Sequence, residues 1–129
     1  MKSNITRFFA VVLVGLAITA CRSGIVYNVI ESPLMVDSGA TVEQVGTAIR
    51  RAGASLGWQM KKVRDGKIMG TLILRTHRAV VDIKYDTENF SITYADSTNL
   101  NYNGTNIHSN YNGWVQNLEH AIKSQVSSM

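Results

Sequence analysis

Scarcity narrows the reading of this chain before any motif does. It has one cysteine, Cys21, and one proline, Pro33. A lone thiol excludes an internal disulfide framework. His77, His108 and His120 show neither HxH nor HxxxH spacing, so no metal-ligating pair is expected. The acids are few and scattered: Glu31, Asp37, Glu43, Asp65, Asp82, Asp86, Glu88, Asp96 and Glu119. Several fall in predicted turns, where Asp serves the backbone. There is no Gly-x-Ser-x-Gly elbow and no phosphate-cradling glycine loop. The expectation is a non-enzymatic protein with no catalytic residue and no metal. A hydrolase would need His77 or His108 to meet an acid or a serine in space. No apolar run reaches the roughly 20 residues needed to cross a bilayer as a helix.

The first residues carry the clearest pattern. Lys2 and Arg7 precede an uncharged apolar stretch from Phe8 to Ile18, which closes on Ile18-Thr19-Ala20-Cys21. A positive start, a short apolar core and small residues at the cut describe an export signal over 1–20. The closing tetrapeptide resembles the bacterial lipobox. That resemblance implies a diacylglyceryl thioether on Cys21, cleavage before it, and acylation of the new amino terminus with a chain such as palmitate. Two or more acyl chains meet the requirement for stable anchoring, and the lipid is the one attached group expected. Arg22 stands where some lineages use Asp for inner-membrane retention, so the resemblance points to the outer membrane, facing the periplasm.

From Cys21 to Met129 the chain is long enough for one core and too short for two. Residues 21–40 read as a lipidated tether with a short strand, Ile25 to Ile30, rich in β-branched and aromatic residues. Residues 41–129 read as a single α+β domain. Thr41 with Gln44 suggests a capping box. Val42, Val45, Ile49, Ala52 and Leu56 recur at helical spacing, and Gly57 follows as a stop, which predicts a helix over 41–56. Gly46 and Gly53, seven apart on its apolar side, suggest close approach to a sheet or else tolerated surface positions.

The period then changes to two. Trp58 to Val63, Ile68 to Arg75, Ala79 to Tyr85 and Phe90 to Ala95 read as four strands, the first pair joined at Asp65-Gly66. Ile68, Gly70, Leu72 and Leu74 are expected on one face, as are Ala79, Val81, Ile83 and Tyr85. An Asn-rich loop over 96–112 leads to a second helix carrying Trp114, Val115, Leu118, Ala121, Ile122 and Val126, with Asn112 as its N-cap. The predicted order is β-α-ββββ-α: a two-layer α+β sandwich of an antiparallel four-stranded meander with one helix before it and one after.

Two surfaces emerge as candidates. Arg50, Arg51, Lys61, Lys62, Arg64, Lys67, Arg75 and Arg78 stand against Asp65 alone, a net +7 for that stretch. Gathered into one patch they would face an anionic partner such as lipopolysaccharide; dispersed, they are a solvated face. The second is the run holding Tyr94, Asp96, Asn99, Tyr102, His108, Tyr111 and Trp114. Aromatics beside amides suit glycan or protein recognition, or else the Asn serve left-handed turns and the aromatics close the core. Nucleic acid is not expected as a partner of an exported, tethered domain.

The chain from about Tyr27 to Val126 resembles small proteobacterial lipoproteins of uncharacterised function. The resemblance rests on three segments: Ala52 to Trp58, Leu74 to Ile83, and Ser91 to Tyr102 continuing through Ile107-His108 to Tyr111-Asn112-Gly113-Trp114-Val115. It implies an envelope address and a lipid anchor, and it carries over no catalytic residue. The resulting expectation is a membrane-anchored lipoprotein with a binding, structural or assembly role toward an envelope protein, lipopolysaccharide or peptidoglycan. The alternative is a small-ligand or glycan-binding periplasmic module.

Overall fold

The computed structural model describes residues 22–129; the expected export signal over 1–20 and Cys21, the expected point of lipid attachment, lie outside the described residues. In chain order the elements are β1 (Ser23–Ile25), β2 (Val29–Pro33), α1 (Val42–Ser55), β3 (Gln59–Arg64), β4 (Lys67–Leu74), β5 (His77–Tyr85), β6 (Asn89–Thr98), β7 (Asn106–His108) and α2 (Ser109–Ser127). The architecture is α+β, with a five-stranded antiparallel sheet in the order β2-β6-β5-β4-β3 and a separate two-stranded ladder of β1 and β7.

Local chemistry sets α1. The Thr41 side chain accepts the Gln44 N–H at 3.1 Å, and Gln44 Oε1 accepts the Thr41 N–H at 2.9 Å. Two otherwise orphaned donors are thereby satisfied. Gly57, at φ 87°, takes the left-handed turn that ends the helix. Val45, Ala48, Ile49 and Ala52 form its buried stripe. The stripe meets the sheet face that carries Ile68, Leu72, Ala79, Val81, Ile83, Phe90 and Ile92, all buried. Each of the Leu, Ile, Val and Phe side chains among them contributes on the order of 1.5–3 kcal/mol. Gly46 and Gly53 let the helix come close: a Cβ on Gly46 would overlap the Tyr85 hydroxyl, and one on Gly53 would overlap the Met60 thioether.

The four predicted strands form a meander, but the sheet has a fifth member. β2 pairs with β6, Val29 opposite Ile92 and Ser32 opposite Phe90. The single strand expected over 25–30 is two strands in two sheets. Between them Tyr27 N–H donates to Asn112 Oδ1 at 2.8 Å, and Asn28 Oδ1 accepts the Tyr94 N–H at 3.1 Å. These side chains occupy backbone groups that a continuous ladder would use, and the chain changes sheet there.

The segment expected as a tether is therefore part of the domain from its first described residue. Arg22 C=O accepts the Ser109 N–H, 2.6 Å away, and Ser23, Gly24 and Ile25 pair with His108, Ile107 and Asn106. Helix α2 also starts earlier than expected. Its N-cap is His108, whose side chain accepts the Asn110 N–H, and Asn112 lies inside the first turns. Asn112 instead bridges the chain start to α2, accepting from Tyr27 N–H and donating to Ile25 C=O at 2.9 Å. Leu74 was expected on the buried face but is 47% exposed, because β4 ends there beside the Arg75-Thr76 turn.

Candidate functional site

The strand registers define two ends of the molecule. One carries the Arg75-Thr76 turn between β4 and β5, the start of α2, and the first described residues. The opposite end carries the Asp65-Gly66 turn, the turn over 86–88, and the C-terminus of α2.

Of the seven candidate binding residues, the structure puts some into the fold and gathers others at the first end. Tyr111 is fully buried, and no partner accepts or donates at its hydroxyl. Burial drives its phenol pKa upward, so it stays protonated. It belongs to the core. Tyr94 is half-buried, edge-on to Tyr111 at 5.8 Å and stacked on the exposed Tyr102 at 3.9 Å. Asp96 pairs with Arg78 at 2.9 Å, and that guanidinium holds its carboxyl below the ordinary value.

Asn99 and Asn101 adopt φ 58° and 52°, a left-handed backbone that Asn tolerates better than most residues. That conformation aims Asn99 back at the β4–β5 turn. Its carbonyl accepts the His77 Nδ1–H at 2.7 Å, and its amide donates to Thr76 Oγ1 at 2.8 Å. These bonds set the imidazole tautomers. With Nδ1 donating, a neutral His77 ring has a free Nε2 lone pair; with Nδ1 accepting from Asn110, a neutral His108 ring carries its proton on Nε2. The His77 ring centroid lies 6.1 Å from that of His108 and 6.3 Å from that of Trp114. All three side chains are half-buried.

A His77–His108–Trp114 cluster thus closes the first end, with Leu74 paired directly beside His77. Its members come from β5, β7 and α2. His108 and Trp114 are among the binding residues expected from the sequence; His77 is not. No local signal joins them, because the contact depends on Asn99 and on β1 pairing with β7.

The eight basic residues do not meet in one patch. Lys62, Arg64 and Lys67 surround the Asp65-Gly66 turn, with Lys62 bonded to Asp65 at 2.8 Å. Arg75 and Arg78 lie at the other end of the same strands, Lys61 on the edge strand β3, and Arg50 and Arg51 on α1. Arg50 donates to Thr47 Oγ1 within its own helix.

A cleft of about 790 Å³ opens at the far end, lined by Asp37, Glu43, Gln44, Arg51, Gln125 and Met129 among others. The space between sheet and helices is filled by one continuous apolar cluster. Among the described residues, no group of three or more His, Cys, Asp and Glu is placed to hold a metal, and no helix is long and apolar enough to cross a membrane. The hydrogen bonds of His77 and His108 go to backbone groups. No protein-family model, curated protein or solved structure matches the chain. Stacking, hydrogen bonding and surface contact are what this arrangement offers.

Proposed function

We propose that this chain is a lipid-anchored lipoprotein of the bacterial envelope, held in the outer membrane and facing the periplasm, with a non-enzymatic binding or assembly role. The observation that carries the reading is Cys21, the chain's one cysteine, standing at the end of an export signal. The start of the fold agrees with it. Among the described residues backbone pairing is already present at Arg22, the residue after the one that would bear the lipid. The filled interior favours a partner bound on the surface over a ligand enclosed between sheet and helices. An envelope protein, lipopolysaccharide or peptidoglycan remains the proposed class of partner.

The test is to express the full chain with a C-terminal tag in a Gram-negative host. The material is then fractionated and its intact mass measured. A processed, acylated protein in the outer-membrane fraction is expected, and a Cys21→Ala variant should lose both the acyl mass and the membrane. Wild-type protein without acyl groups would end the reading.

A further inference from the structure

Resting on that reading, we propose that the end of the domain bearing Arg22, Ile73, Leu74, Arg75, His77 and Trp114 docks on the bilayer surface, against the headgroups of anionic lipid.

The geometry allows little else to face the membrane. A lipid on Cys21 is one residue from Arg22, whose carbonyl is bonded to Ser109 N, and two from Ser23, paired with His108. No free linker separates the anchor from the fold, so the bilayer meets whatever surrounds His108. His77 lies there, its ring in contact with that of His108 and with that of Trp114. Leu74 pairs with His77, and Ile73 with Arg78.

The composition of this end suits an interface. Ile73 and Leu74 are 58% and 47% exposed at the end of β4, beside the β4–β5 turn. A half-exposed indole with a polar edge is at home at headgroup level. Arg22 and Arg75 are exposed. The turn acids Asp65, Asp86 and Glu88 and the cleft acids Asp37 and Glu43 stand at the far end, roughly one α2 length away, about 28 Å for 19 residues. On the near half, Asp96 is paired with Arg78, and Glu119 is bonded to Tyr27 and Lys123. The near end therefore presents apolar tips and unopposed cations to the surface the anchor brings to it. An anionic membrane attracts such cations over about a Debye length.

The experiment uses the full chain, processed in cells, purified with its lipid and reconstituted into vesicles of phosphatidylcholine with or without brominated phosphatidylglycerol. Intact mass reports the acyl groups, and tryptophan quenching reports docking. Trp58 is 4% exposed beneath α1, so the quenched component should be Trp114 and should vanish in Trp114→Phe. Arg75→Asn suits the left-handed backbone at φ 56° and should lower the docked-to-free ratio about fivefold, the worth of roughly one cation near an anionic surface. Ile73→Ser with Leu74→Ser should do the same or more, while Lys67→Asn at the far end should change nothing. Circular dichroism confirms that each variant folds. Absence of lipid would overturn the docking and the anchor together. Lipid present but no quenching, or quenching equal in the wild type, Arg75→Asn and the double-serine variant, would overturn the docking alone.

Discussion

Replacing Gly46 with Ala sets two well-measured effects against each other. Alanine in a helix interior gains about 1 kcal/mol over glycine. At this position the new Cβ would overlap the Tyr85 hydroxyl oxygen and stand 3.0 Å from Cζ and 3.2 Å from Cε2. Tyr85 is 7% exposed on the central strand β5, so its ring cannot swing away without disturbing Ile83 and Phe90 beside it. Overpacking of this kind costs about 1–3 kcal/mol, and the net expectation is destabilisation of about 1 kcal/mol. In urea unfolding that is a midpoint lowered by roughly 0.5–1 M at an unchanged slope. Tyr85→Phe removes the overlapping oxygen; alone it should change stability by about 1 kcal/mol or less. In the Gly46→Ala background it should restore most of the loss, a coupling of about 1 kcal/mol in the double-mutant cycle. Gly53→Ala should be milder, because the atoms it meets belong to Met60, whose side chain is flexible and half-exposed. A Gly46→Ala protein more stable than wild type, or no rescue by Phe, would refute the close contact of α1 with β5.

Three further outcomes are expected. Tyr111→Phe removes a buried hydroxyl without a partner and should leave stability unchanged or raise it by up to about 1 kcal/mol, against a loss of about 3–5 kcal/mol for Tyr111→Ala, both read by thermal unfolding. Asn112→Ala deletes the bonds to Tyr27 N–H and Ile25 C=O; hydrogen exchange should show the amides of β1 and of residue 27 opening first, while α1 keeps its protection. Asp86 accepts the N–H groups of Asn89 and Glu88, each at 2.7 Å, which hold its carboxyl below the ordinary value. A carboxyl lowered by folding stabilises the fold above its unfolded value and loses that contribution as pH falls through the folded one. Asp86→Asn should therefore cost some stability at pH 7 and flatten the acid limb below about pH 4, measured as unfolding midpoint against pH.

How far the sequence was legible follows from the range of the interactions. Helix α1 was readable to within a residue at its start, because Thr41 and Gln44 bond to each other across three residues. The meander was readable because alternation and the Asp65-Gly66 turn act between neighbours. The seven-residue spacing of Gly46 and Gly53 left close approach and a tolerated surface position equally open, and only the packing against Tyr85 and Met60 decided for close approach. Residues 22–40 were not readable: whether Ser23–Ile25 forms a strand depends on β7, more than eighty positions away, and on Asn112 holding both Tyr27 and Ile25. Asn112 looked like a cap because its side chain suits one, yet the helix begins at Ser109, directly after β7, and His108 caps it.

The same division runs through the candidate site. Its local ingredients were visible: aromatics, amides, two histidines and a run of cations. Their arrangement was not. The registers of β3, β4 and β5 sent Lys62, Arg64 and Lys67 to one end of the sheet and Arg75 and Arg78 to the other. The left-handed backbone at Asn99 and Asn101, with the β1–β7 pairing, brought His77 to His108 and Trp114. Periodicity, caps and turns act within a few residues, so the sequence by itself determined the class of fold and most of its elements. Which side chains share a surface depends on pairings between distant segments, and those only the tertiary structure decided.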